Sequence, residues 1–128
     1  MATVPAPCPC SSGLSYDKCC GPLHRDEIPA PTAERLMRSR YSAFVLLDED
    51  YLLRTWHRST RPASVPLDRR VQWLSLEIIG RTGGSVLVNR GTVEFRARWR
   101  RPGGATGVQH ENSSFLRESG HWFYLGIG

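Results

Sequence analysis

The chain has 128 residues, 40% of them hydrophobic and 23% charged, and a formal net charge of +5. That length accommodates one ordinary domain with a small appendage and excludes a second full core. No apolar run approaches bilayer length, and Met1 to Pro7 hold neither a basic start nor an apolar stretch, so membrane insertion is not expected and a cytoplasmic location is.

The first 31 residues hold six prolines and, as large aliphatic side chains, only Val4, Leu14, Leu23 and Ile28 beside Met1. Such an arm buries too little apolar surface to hold itself together. All four cysteines, Cys8, Cys10, Cys19 and Cys20, fall inside it as C-x-C-x8-C-C. Zinc takes four soft ligands at about 2.3 Å in a tetrahedron, and a loop that returns on itself brings two thiolate pairs there. Ser11-Ser12-Gly13 supplies the turn, with Gly13 free to take positive φ. Lys18 offsets surplus thiolate charge, and four thiolates with one dication would leave the chain near about +3. Two other readings are a disulfide pair and four reduced thiols, although bridging neighbouring Cys19 and Cys20 would be strained. His24 is an alternative to Cys20 as fourth ligand, and iron is an alternative to zinc. A shell of four protein ligands leaves no position for a substrate, so catalysis at the metal is not expected.

A helix is expected from Thr32, its N-cap, with Glu34 in the first turn. Ala33, Leu36, Met37, Tyr41 and Phe44 form its apolar stripe, and Arg40 lies at the stripe's edge. Asp48 caps a second short helix carrying Tyr51, Leu52 and Trp56. Pro62 and Pro66 close this half, with one more turn around Leu67–Arg70. Strands follow at 71–80, bounded by Gly83-Gly84, and at 86–99, where Val93, Phe95, Ala97 and Trp99 alternate with Glu94, Arg96, Arg98 and Arg100. Gly103-Gly104 makes the next turn, before a hairpin of 108–117 and 121–127. Helices followed by a run of antiparallel strands give an α+β fold, with a boundary between an arm at 1–31 and a domain at 32–128.

Cys8-Pro9-Cys10-Ser11-Ser12-Gly13, then Tyr16 and Cys19-Cys20, closely resembles the SEC-C motif, known from the tail of the SecA preprotein translocase motor. The resemblance implies a zinc-binding protein-interaction element and hence a protein partner. The motif usually has Gly where this chain has Ser11. Ala33 to Phe44 and Thr55 to Pro62 resemble signature blocks of the YchJ-like family of uncharacterised bacterial proteins, as do Gly91 to Phe95, His110-Glu111 with Ser113 and Phe115, and Gly120 to Tyr124. That resemblance implies the cone of nuclear transport factor two, with helices packed on a strongly curved antiparallel sheet, and no activity to carry over.

A cone of this kind often encloses a small-molecule pocket, for which Arg40, Tyr41, Trp56, His57, Glu111 and Ser113 are the candidates. A carboxylate beside a histidine would serve acid–base chemistry if the two converge. The structural alternative pairs Arg40 with Glu94 or Glu111 and leaves His57 ending a helix. No complete nucleophile–base pair or open metal shell marks an enzyme. Arg96, Arg98, Arg100 and Arg101 share a strand; they are read as a solvated face with Glu77 or Glu111 opposite, because no nucleic-acid-binding motif accompanies them. Trp99, Trp122 and Tyr124 are expected in the core. The leading expectation is a non-catalytic, zinc-dependent protein-interaction module; a ligand-binding or enzymatic pocket is the alternative.

Overall fold

The computed structural model describes residues 6–127. The expectation of no apolar leader at Met1 to Pro5, and the outer bounds of the arm and the domain, therefore lie outside the described residues.

The arm opens as a narrow hairpin in which the Cys8 N–H donates to Leu14 O and the Tyr16 N–H to Ala6 O, both at 2.9 Å. A 3-10 turn at Tyr16–Lys18 leads into the short helix α1, Cys20–His24. Ser11 sits at φ 67, the left-handed region that glycine tolerates best. Its hydroxyl accepts a hydrogen bond from the Leu76 N–H at 3.2 Å, so the serine ties the turn to the domain.

Helix α2, Ala33–Val45, begins where Thr32 Oγ1 accepts from the Arg35 N–H at 3.1 Å. Helix α3, Glu49–Arg54, is capped by Asp48 in the same way, from the Tyr51 N–H at 3.1 Å. Trp56 lies beyond α3, in an extended segment that bridges Tyr124 in parallel. Here the Tyr124 N–H donates to Thr55 O and the His57 N–H to Tyr124 O, both at 2.8 Å. The expected turn at Leu67–Arg70 is not helical: Val71 N–H returns to Asp68 O, while Asp68 caps Arg70.

Four strands, β1 at Gln72–Gly83, β2 at Arg90–Arg100, β3 at Thr106–Glu118 and β4 at His121–Ile127, form one antiparallel sheet in chain order. Register shifts at Trp73/Ser75, Ile78/Gly80 and Ser114/Phe115 bend it, as bulges do. The apolar run at 86–88, expected in β2, is loop. Gly83 and Gly84 take positive φ, and Arg117 holds the loop through Val86 O and Asn89 Oδ1. Val86 and Leu87 stay exposed.

The concave face packs on α2, with Leu36, Val93 and Phe115 buried between them, and Leu52 of α3 is buried as well. Along β2 the expected alternation is present, with Val93, Phe95 and Ala97 inward and Arg96, Arg98 and Arg100 outward. Arg96 pairs with Glu77, but Glu111 is opposite Phe95 and therefore faces inward, away from the arginines. Trp122 is buried as expected; Trp99 and Tyr124 are half-buried.

At the sheet's closed corner Gly91 passes so near Gly84 that a Cβ would come within 2.5 Å of Gly84 Cα and N. Both contacts are backbone, and Gly84 O accepts from the Ala33 N–H at 3.0 Å, so the corner cannot yield without disturbing the start of α2. Gly91→Ala is expected to destabilise the protein by about 1–3 kcal/mol. Denaturant unfolding checks this; an unchanged midpoint would show that the corner opens freely.

Candidate metal centre and internal cavity

Cys8 and Cys10 belong to the tight turn that the Ser11 N–H closes on Cys8 O at 3.3 Å, and both are buried. Cys19 caps α1 and Cys20 is its first residue. The four Sγ atoms all lie within 4.8 Å of one another, with Cys10–Cys19 at 3.6 Å and Cys19–Cys20 at 3.9 Å. Metal–sulfur bonds of about 2.3 Å in a tetrahedron require sulfurs about 3.8 Å apart, so the four residues fit one metal ion. All four are free and buried, none more than 5% exposed. The Cys19–Cys20 separation is nearly twice a disulfide bond of about 2.05 Å.

Crowding makes charge the governing problem. The Cys8 thiol is pulled far below its ordinary value by hydrogen bonds from Cys10 and then Cys20. Contacts with Cys10 and then Cys8 push Cys20 far above it, and burial raises Cys19. Without a cation the cluster favours one thiolate at the expense of its neighbours. A dication removes the conflict.

Helix α2 supplies the surroundings. Ser42 Oγ donates to Cys20 Sγ at 3.3 Å and lies 3.6 Å from Cys8 Sγ, while Ser12 Oγ is 3.2 Å from Cys19 Sγ. Arg35 and Arg38 donate to the carbonyls of Cys19 and Cys10 at 3.3 and 2.9 Å. Arg38 is braced by Glu34, which also pairs with Arg81 on β1. His24 is outside the cluster. Its Nε2–H donates to Ser39 O at 2.8 Å, and its Nδ1 accepts from Tyr16 OH at 2.6 Å, which uses both ring nitrogens. Sequence reasoning missed Arg35, Arg38, Ser39 and Ser42. Their signal is a second face of α2, small and polar, beside the apolar stripe.

On the other side of α2 lies a cavity of about 190 Å³. Met37, Arg40, Tyr41 and Phe44 line it from the helix, Trp56 from the segment after α3, and Trp73, Phe95, Ala97, Gln109, Glu111, Ser113 and Tyr124 from the sheet. Five of the six expected residues meet there. His57 does not: in the extended segment after α3, neighbouring side chains point to opposite sides, and His57 faces away from Trp56. Its Nε2 bonds Glu118 at 2.9 Å and its Nδ1 bonds Ser59 at 2.7 Å. Acid–base pairing of His57 with Glu111 is thus ruled out by geometry.

Arg40 is 3% exposed and pairs with neither Glu94 nor Glu111. Glu94 is on the outer face with His110, and Glu111 accepts from Gln109 at 2.6 Å. Arg40 Nη1 instead donates to Leu52 O at 2.8 Å and Thr55 Oγ1 at 2.7 Å, at the carbonyl-rich end of α3. The guanidinium carbon lies 4.4 Å from the centre of the Tyr124 ring and 5.2 Å from that of Trp56. Burial lowers Arg40 to about 10, which still leaves it charged at neutral pH. Burial also raises Tyr41 to about 12, and burial followed by the Glu111 charge raises Tyr124.

Residues 32–126 match the YchJ middle NTF2-like domain, and residues 5–22 match the SEC-C motif. A UPF0225 protein of Streptomyces coelicolor is 52% identical over 118 residues, covering 92% of this chain and 91% of the relative. Another from Corynebacterium glutamicum is 45% identical over 117 residues, covering 91% and 92%. The solution structure of a SEC-C motif containing protein from Rhodopseudomonas palustris is similar with TM-score 0.83 and 38% identity, over 94% of this chain and 96% of that one. A crystal structure of a SEC-C motif containing protein from Psychrobacter arcticus gives TM-score 0.77 and 29% identity, over 94% and 82%.

The His57 side of the fold carries a pH signature. Arg58, and then His57, hold the Glu118 carboxyl below its ordinary 4.5. A carboxyl lowered on folding stabilises above its unfolded pKa, and that contribution disappears as pH falls through the folded value. Glu118→Gln is therefore expected to lower stability at pH 7, and the gap from wild type to narrow below about pH 4.5. Thermal unfolding across pH checks this; a gap that stays constant into acid would contradict it.

Proposed function

The chain belongs to the YchJ-like UPF0225 family, with a SEC-C motif ahead of an NTF2-like domain, and on that premise we propose that it is a non-catalytic zinc protein whose ion is structural and whose binding site is the cavity behind α2. The observation that carries this reading is the contrast between the two sites. The sulfurs are buried and offer a closed set of four donors, whereas the cavity is open, partly apolar and lined by a few convergent polar groups. Four thiolates suit zinc, and free thiols suit a reducing compartment, so a cytoplasmic location belongs to the same proposal. No helix among the described residues is long and apolar enough to cross a membrane.

A second reading gives the arm a protein partner. Its support is two exposed apolar side chains of the arm, Leu14 at 51% and Ile28 at 48%. Phosphate-backbone binding is not part of the proposal, because Arg96 pairs with Glu77 and Arg100 with Gln72.

Protein purified without chelator is expected to carry one zinc per chain by elemental analysis, and Cys10→Ser to lose most of it. Removing the ion is expected to lower the unfolding temperature by several degrees, because metal binding is linked to folding. Full-length protein that holds no zinc, or that keeps its stability when stripped and reduced, would contradict the proposal.

A further inference from the structure

We propose that the cavity behind α2 takes a small aromatic carboxylate bearing a ring hydroxyl, with its carboxylate on Arg40 and its hydroxyl on Glu111. This rests on the reading of the cavity as a binding site and assigns the chemistry of what occupies it.

Arg40 carries a buried charge with no ion-pair partner among the described residues. Burying a cation without a counter-charge is costly, and here only two neutral oxygens and two aromatic faces offset it. Both oxygens are taken by Nη1. The other two nitrogens, Nε and Nη2, have no hydrogen-bond partner among the described residues, and Arg40 lines the cavity. Two N–H groups on one edge of a guanidinium form the fork that a carboxylate fits.

The opposite wall presents acceptors. Gln109, Glu111 and Ser113 follow one another at alternate positions of β3, so all three face inward, and all three line the cavity. Glu111 accepts from Gln109 through Oε1, and its second oxygen has no protein donor among the described residues. A carboxylate in that position selects a ligand that donates. Between the two poles lie Met37, Phe44, Trp73 and Phe95, which suit a flat apolar body. A cavity of 150 Å³ is known to admit benzene, so about 190 Å³ corresponds to one substituted ring. A cationic ligand would pair with Glu111 but meet Arg40, so a ligand that offers both a carboxylate and a donor suits the two poles together. An inorganic anion would leave the apolar walls unused.

The test uses the full metal-loaded chain and four probes, 4-hydroxybenzoate, 4-hydroxybenzamide, 4-methoxybenzoate and benzylamine, followed by amide and indole NMR shifts at the lining residues. The hydroxy acid is expected to bind at least about tenfold more tightly than its amide, the scale of one charge-assisted hydrogen bond pair. It should also bind more tightly than the methoxy acid, and Glu111→Gln should weaken that second preference while keeping the first. Arg40→Met is expected to abolish the preference for the acid over the amide. Should that variant fail to fold, the wild-type probe series and Glu111→Gln still decide the matter. An amide or benzylamine that binds as tightly as the acid would overturn the assignment of an anion and leave the cavity standing as a binding site. If no probe shifts the lining residues, the cavity reading itself falls.

Discussion

Four sulfurs held within 4.8 Å of one another cannot all carry charge unless a cation sits among them, and most of this structure is arranged around that constraint. The arm lacks the apolar surface to fold alone. Two of its cysteines are on a hairpin and two at the start of α1, so a shared ion would join its two halves. The same cluster connects the arm to the domain, because Ser42 of α2 reaches Cys8 and Cys20 while Arg35 and Arg38 hold the carbonyls of Cys19 and Cys10. The arm is thus a face of the fold, not a tethered appendage.

Helix α2 is consequently a shared wall. Arg35, Arg38, Ser42 and the Ser39 carbonyl meet the arm, and Met37, Arg40, Tyr41 and Phe44 face the cavity. This accounts for a helix in which Ser39, Arg40 and Ser42 are buried together with the apolar stripe. Anything that loosens the arm removes the support on one side of the helix whose other side positions Arg40. The candidate metal centre and the cavity are chemically separate sites on two faces of one helix.

The parts of the fold legible in the sequence are those set by local chemistry. Thr32 and Asp48 cap the helices as their side chains dictate, and the alternation of Val93, Phe95 and Ala97 with arginines marks β2. The cysteine spacing marked the ligand cluster because four thiols so close in the chain have few other uses. What escaped was set by distant partners. The loop at 86–88 has the composition of a strand, yet two left-handed glycines and the reach of Arg117 keep it out of the sheet. Glu111 seemed a partner for the outer arginines, but its register opposite Phe95 turns it into the cavity. His57 and Trp56 are adjacent in sequence and diverge because that stretch is extended along β4, not helical. The second face of α2 was invisible because small polar residues read as solvent-exposed until something covers them.

On the proposed function, the ion gives the arm its shape and fastens it to α2. Amide hydrogen exchange on the full chain, metal-loaded and then stripped under reducing conditions, addresses it most directly. Protection at the amides of Cys8, Tyr16 and Cys19 is expected to collapse without the ion, while the paired amides of β2 and β3 keep theirs. Unaltered protection in the arm after the ion is gone would contradict it.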